Sequence, residues 1–293
     1  DHRDLHSFPT RRSSDLCRFD IANAVMTLGR YRAAPRVGHL ERAKRIVGYL
    51  RSFPHAAIRF RTGTPYHEAI YGEHPEKFDW MYQVYGMLKE ELGDFFPEPK
   101  GKEVCTSTFV DAILMHDFTT GRSATGVLHL INQTPLDWLS KRQAQVETAT
   151  YGSEFVAART AVEQILDLRF TLRSYGVPLD GPAWMFGDNQ SVITSSTIPH
   201  SKLSKRWNAL SYHPVLESVT AGILRFHFID SKENPSDILT KATDYNTAWP
   251  HVGTLLFRFG ETLLQDELPH GQRGVSEGND LTASGASTGA DLG

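Results

Sequence analysis

Four carboxylates in this chain occupy positions from which they could converge on divalent cations. Asp188 follows Trp184-Met185-Phe186, which reads as a short buried strand, and precedes a helical start at Ser191 to Ser196. It therefore stands at the carboxyl end of a strand, where open α/β sheets place their ligand crevice. Taken singly, an Asp-Asn pair after a strand is turn chemistry. Asp111 follows Thr108-Phe109-Val110, Glu154 opens a long helical pattern, and Asp237 lies within Glu233-Asn234-Pro235-Ser236-Asp237-Ile238-Leu239-Thr240-Lys241. Four acids on four different elements are what a pair of divalent metal ions requires, because hard cations take carboxylate oxygens.

The elements that must position these acids are legible from periodicity and breakers. Val104 to Leu114 reads as a strand, Thr119-Thr120-Gly121-Arg122 as a turn, and Ala124 to Ile131 as a second strand. Asn132-Gln133-Thr134-Pro135 turns the chain into a third strand, Leu136 to Leu139, and this hairpin spacing predicts an antiparallel ribbon. A long helix is predicted from Thr150 to Tyr175, with Phe155, Ala158, Val162, Ile165, Leu166 and Leu172 on one stripe. Gly176 followed by Pro178 is its stop signal. After the Asp188 strand, a helical stretch from Leu203 to Thr220 and a last strand from Ile223 to Ile229 complete the pattern.

Upstream, two helical patterns are separated by Pro35: Ile21, Ala24, Val25 and Leu28, then Leu40, Ala43, Ile46, Val47 and Leu50. Arg36, His39, Arg42, Lys44, Arg45 and Arg51 decorate the second. They read either as a solvated basic face or as a phosphate-tracking helix. Ala57 to Arg61 alternates like an edge strand. The predicted organisation is an N-terminus without periodicity at 1–16, a helical segment at 17–62, a linker at 63–101, an α/β domain at 102–262, and a polar, unstructured tail at 263–293. Residues 1–16 resemble a translated sequencing-adapter string, so they are set apart from the fold and the chain is expected to be a fragment.

Composition narrows the function classes. Apolar residues make up 40% of 293 residues, enough for a real core. No apolar run approaches the ~18 to 20 residues that cross a bilayer, so no membrane partner is expected. Cys17 and Cys105 cannot supply a disulfide scaffold or a four-ligand zinc site, and a reducing compartment is the default. A net charge of −3 leaves nucleic-acid binding to local patches.

The order of the acids resembles the ribonuclease H fold, and the wording resembles the ribonuclease H region of copia-type LTR retrotransposon Pol polyproteins. The blocks that carry the resemblance are Val110-Asp111-Ala112, Arg122-Ser123-Ala124-Thr125-Gly126, Trp138-Leu139-Ser140-Lys141-Arg142-Gln143, Thr150-Tyr151-Gly152-Ser153-Glu154, Gly187-Asp188-Asn189, and Asn234 through Lys241. Arg18-Phe19-Asp20-Ile21 through His39, with Gly48-Tyr49-Leu50, is similar to the segment that follows the reverse transcriptase palm in the same polyproteins. The resemblance implies an α/β, ribonuclease H-like fold, a mixed five-stranded sheet flanked by helices, preceded by a small helical segment. It implies hydrolysis of the RNA strand of RNA–DNA hybrids by two Mg²⁺ ions, with Mn²⁺ as a substitute. Such ions, ~3.5 to 4 Å apart, activate a water and stabilise the leaving oxygen. Asp111, Glu154, Asp188 and Asp237 would be both the catalytic residues and the metal ligands, Asp237 at the edge of the site. The implied partners are the hybrid and the reverse transcriptase domain of the same polyprotein. The implied location is the cytoplasm or a virus-like particle, with access to the nucleus.

Hybrids present 2′-hydroxyls in a wide, shallow groove. The candidates to read them are Gln143, Ser153, Asn189 and Gln190, with Lys141, Arg142, Lys202, Lys205 and Arg206 holding phosphates. Trp207 could stack on a base or pack internally. Two departures stand out: Ile113-Leu114-Met115 where the family carries polar residues, and Trp207 where it carries the end of a basic run. They keep open an alternative, a catalytically dead, degenerate copy that only binds nucleic acid or packs against a polymerase. A nuclease of the same superfamily acting on DNA is the further rival. No Tyr-x-Asp-Asp is present, so the polymerase site is absent.

Overall fold

The computed structural model describes residues 18–58, 60–63, 90, 92–197, 203 and 206–257. The segments expected to be unstructured, 1–16 and 263–293, lie outside these residues, as does most of 63–101. A 3-10 turn, Phe19–Ile21, leads into helix α1, Ala22–Gly29, and then helix α2, Val37–Ser52. Strand β1, Ala57–Ile58, follows. The sheet then begins with β2, Thr106–Asp117, β3, Arg122–Ile131, and β4, Thr134–Arg142. Helix α3 covers Thr150–Ser174, strand β5 Ala183–Gly187, and helix α4 Gln190–Thr197. Helix α5, Ala209–Thr220, strand β6, Leu224–Phe228, the single turn α6, Asp237–Thr240, helix α7, Tyr245–Leu255, and strand β7, Leu256–Phe257, complete the described chain.

The five-stranded sheet has the order β4-β3-β2-β5-β6. β2, β3 and β4 form the expected antiparallel ribbon, while β5 runs parallel to β2 and β6 parallel to β5. This mixed sheet, with helices on its faces, is a ribonuclease H-like fold. β5 is buried along its whole length, as an inner parallel strand covered on both faces must be.

Side-chain alternation divides the interior in two. Val110, Ala112, Val127 and Met185 face α3, α4 and α5 through Phe155, Ala158, Val162, Ile193, Val215 and Leu216. Phe109, Leu128, Trp138, Trp184 and Phe186 face the other way, onto Phe19, Ala22, Leu239, Val252 and Leu256. The upstream helical segment is thus part of the second core, and the division expected at residue 62 is no break in packing. β1 reinforces this by pairing with β7. A buried ion pair ties the segment down. Arg18 donates two hydrogen bonds to Asp20, at 2.9 and 2.8 Å, and Tyr49 on α2 donates a third at 2.7 Å.

Two expected stripes differ in detail. Leu166 is exposed on α3, because Ile165 takes the core-facing position next to it. On α2 only Ile46 is buried, and Leu40 and Val47 face outward. The described end of the expected linker is anchored on α3: Phe95 and Phe96 lie against Phe170, and the Lys100 N–H donates to the Gly176 carbonyl. Glu90 accepts hydrogen bonds from Arg169 and Arg173. Gly176 ends α3 at φ +71°, as its stop signal predicted.

Candidate active site

β2 and β5 stop pairing at Val110 and Gly187, so Asp111 and Asp188 are the next residue on each of two adjacent parallel strands. Glu154, in the first turns of α3, comes in from the opposite layer. Asp111, Glu154 and Asp188 each present a carboxylate oxygen within 4.8 Å of the others. Asp111 and Glu154 are buried and Asp188 is half-exposed, so the cluster opens to solvent on the Asp188 side.

The fourth acid arrives through close packing. Gly126, paired with Asp111 across β2 and β3, has no side chain, and a Cβ there would stand 2.7 Å from Thr240 Cγ2 and 2.9 Å from the Ser236 carbonyl oxygen. Its absence lets α6 lie directly on the sheet. Asn234 pins the same loop: its amide donates to the Val110 carbonyl at 3.1 Å while Oδ1 accepts from the Ser236 N–H and hydroxyl. Thr240 then donates its hydroxyl to Asp111 Oδ2. Asp237 is not part of the three-acid group. It accepts from Lys241 at 2.8 Å, and the Lys241 ammonium stands 3.7 Å from Asp111. On the other side, Ser231 donates to Asp188 at 2.5 Å.

Electrostatics record the crowding. Burial pushes the Asp111 carboxyl up to about 6; Asp237 and Asp188 add to this, and Lys241 and Thr240 work against it. Glu154 is raised well above its ordinary value by burial first and then by Asp111 and Asp188, with a backbone hydrogen bond from Ala112 opposing. Lys241 remains a cation: burial lowers it, but Asp111 and Asp237 outweigh burial and raise it. Three convergent carboxylates short of positive charge form the hard-oxygen donor set that Mg²⁺ or Mn²⁺ takes, so the residues fit such an ion.

The expected substrate contacts divide. Lys141 and Gln190 are exposed, and Trp207 is exposed rather than packed internally. Asn189 is half-buried and caps α4, its Oδ1 accepting from the Ser191 and Val192 N–H groups. Arg142 is held by Asp117 at 2.7 Å. Gln143 and Ser153 are buried and not open to a 2′-hydroxyl: Gln143 donates to Thr125 and to the Ser153 carbonyl, and Ser153 donates to the Thr150 carbonyl. They bind the end of β4 to the start of α3, which steadies Glu154. Lys202, Lys205 and the side chain of Arg206 lie outside the described residues. Gly126, Asn234, Thr240 and Lys241 were legible as motif letters, but nothing local signalled that they assemble the site.

No family model matches the chain. It is 26% identical over 174 residues, 59% of its length, to a retrovirus-related Pol polyprotein from transposon TNT 1-94 of Nicotiana tabacum. It is 24% identical over 226 residues, 76% of its length, to the Pol polyprotein from transposon RE1 of Arabidopsis thaliana. The match spans only 13% of each of these relatives. Among solved structures, the N-terminal RNase H domain of a Mycobacterium tuberculosis protein aligns at TM-score 0.37 and 11% identity, covering 52% of this chain and 97% of that one. LC11-RNase H1 in complex with RNA/DNA hybrid aligns at TM-score 0.36 and 15% identity, covering 47% and 93%. The fold itself rests on the strand order above. The chain is similar to the retrovirus-related Pol polyproteins of copia-type transposons, over a segment whose described residues carry a ribonuclease H-like fold.

Proposed function

We propose that this chain carries the ribonuclease H activity of a retrotransposon Pol polyprotein and hydrolyses the RNA strand of RNA–DNA hybrids. The observation that carries the proposal is the convergence of Asp111, Glu154 and Asp188 where the parallel pairing of β2 with β5 ends and the first turns of α3 meet the sheet. Two Mg²⁺ ions bound there would supply an activated water and charge stabilisation of the leaving oxygen. The chain's own residues provide the rest. Asp111 and Glu154 are held by the sheet and by α3, so their oxygens need no ordering when a cation arrives. Asp188, half-exposed and steadied by Ser231, faces the side from which a phosphodiester can approach. Asp237 acts at the edge of the site through Lys241. Lys141, Gln190 and Trp207, all exposed, supply contacts to phosphate, 2′-hydroxyl and base; stacking on an aromatic ring is worth ~1 to 3 kcal/mol per base. A reverse transcriptase domain of the same polyprotein is the proposed protein partner.

The test is single-turnover cleavage of an end-labelled RNA–DNA hybrid, with RNA and DNA duplexes as controls, at saturating Mg²⁺ and in EDTA. Mg²⁺-dependent cutting of the RNA strand in the hybrid alone is the expected result. Hybrid binding without any cleavage would support a dead copy, and cleavage of DNA duplex would move the chain to another nuclease class.

A further inference from the structure

Within the acid cluster one cation already has a place. The Lys241 ammonium lies 2.8 Å from Asp237 and 3.7 Å from Asp111. Its position is built rather than incidental. Lys241 directly follows α6, which the bare Gly126 and the Asn234 pin hold against the sheet. The preceding residue, Thr240, is itself bonded to Asp111. The side chain is about one third exposed, and it also lines a cavity of about 310 Å³ with Tyr49, Asp244 and Trp249, so space beside it is open.

We propose that Lys241 is the resident cation of this site: it neutralises the Asp111–Asp237 side of the cluster in the metal-free chain and competes electrostatically with a divalent cation bound there. This rests on the reading of Asp111, Glu154 and Asp188 as metal ligands. Lys241 is a positioning residue that acts through these acids and keeps its charge throughout. A unit charge held a few ångströms from a cation site changes its occupancy by about tenfold even at high effective dielectric. The same charge suppresses repulsion among the carboxylates when no metal is bound. Lys241 therefore stabilises the empty cluster and weakens the loaded one.

The test uses the full chain with Lys241→Met and Lys241→Arg, folding being checked by circular dichroism. Two quantities are measured: the melting temperature in EDTA, and Mn²⁺ affinity from the electron paramagnetic resonance signal of the free ion. Lys241→Met is expected to melt lower in EDTA and to bind Mn²⁺ about tenfold more tightly, while Lys241→Arg, which keeps the charge, stays near the parent in both. Should Lys241→Met not fold, Lys241→Gln carries the same expectations. Unchanged melting and affinity in Lys241→Met would overturn the proposal, and so would weaker Mn²⁺ binding, which would make Lys241 a support for the ligands rather than a competitor. If the parent chain binds no Mn²⁺ and Asp111→Asn makes no difference, it is the metal reading itself that fails, and the competition falls with it.

Discussion

Asp20 and Asp111 have side chains exposed by only 1% and 2%, yet their surroundings are opposite. Asp20 is held by partners of complementary kind: a two-fold bond from Arg18 and the Tyr49 hydroxyl. Asp111 is surrounded by its own kind, with Glu154 and Asp188 within reach and one lysine at 3.7 Å. A buried charge whose partners are complete holds elements together, and removing one partner leaves an uncompensated ion. A buried group of like charges destabilises the empty protein and is retained where a ligand completes it. Burial alone does not separate the two cases; the sign of the neighbours does.

The comparison is sharpest for the acids themselves. Asp188→Asn, Glu154→Gln and Asp111→Asn should each lower hybrid cleavage by orders of magnitude, while melting in EDTA stays level or rises, because one of several repelling charges has gone. Single-turnover cleavage and thermal melting on the same samples separate the effects. A variant that loses activity by unfolding would place its acid in the class of Asp20.

Asp20→Ala should do the reverse and cost about 3 to 5 kcal/mol of folding stability, since the buried Arg18 guanidinium loses its carboxylate and Tyr49 its bond to that carboxylate. Urea denaturation measures this. A change within ~0.5 kcal/mol would show the pair to be dispensable and would remove one side of the contrast.

The two kinds of site also differ in pH. Asp111 and Glu154 are raised in the folded chain, so the stability they contribute is present at low pH and lost as pH rises, for Asp111 from the ordinary carboxylate range through about 6 and for Glu154 in the same direction. Glu90 behaves oppositely. Burial pushes it up, but Arg169 and Arg173 outweigh burial and hold it at about 2, so its contribution is present above its ordinary range and lost as pH falls toward that value. Melting in EDTA from pH 4 to 8 should carry a downward component that saturating Mg²⁺ removes. An identical profile with and without Mg²⁺ would contradict the metal-ligand role.

Smaller effects are expected away from the triad. Asp237→Asn should reduce cleavage only several-fold, because the three-acid group is complete without it. Neutralising Arg42, Lys44 and Arg45 should flatten the salt dependence of hybrid binding by nearly one unit of log–log slope per lost phosphate contact. An unchanged slope would leave α2 as a solvated face, consistent with the Lys44–Glu41 pair on its surface.

Local pattern alone located the strand before Asp188, the hairpin ribbon, and the long helix with its Gly176 stop, because each is written in a period of two or 3.6 and ended by a breaker. It also placed Asp111 within the first strand, Glu154 at the start of the long helix and Asp188 just after its strand, on the three elements whose packing brings these acids together. Periodicity reports that a face is covered and does not say what covers it. Only tertiary packing decided that Phe19 and Ala22 lie under the far side of the sheet, and that Gln143 and Ser153 brace α3 rather than meet substrate. The approach of Thr240 and Lys241 to Asp111 was likewise decided there. It spans 129 residues from Asp111 to Thr240 and depends on a missing Cβ at Gly126 and a buried amide at Asn234, contacts that no stretch of neighbouring residues encodes.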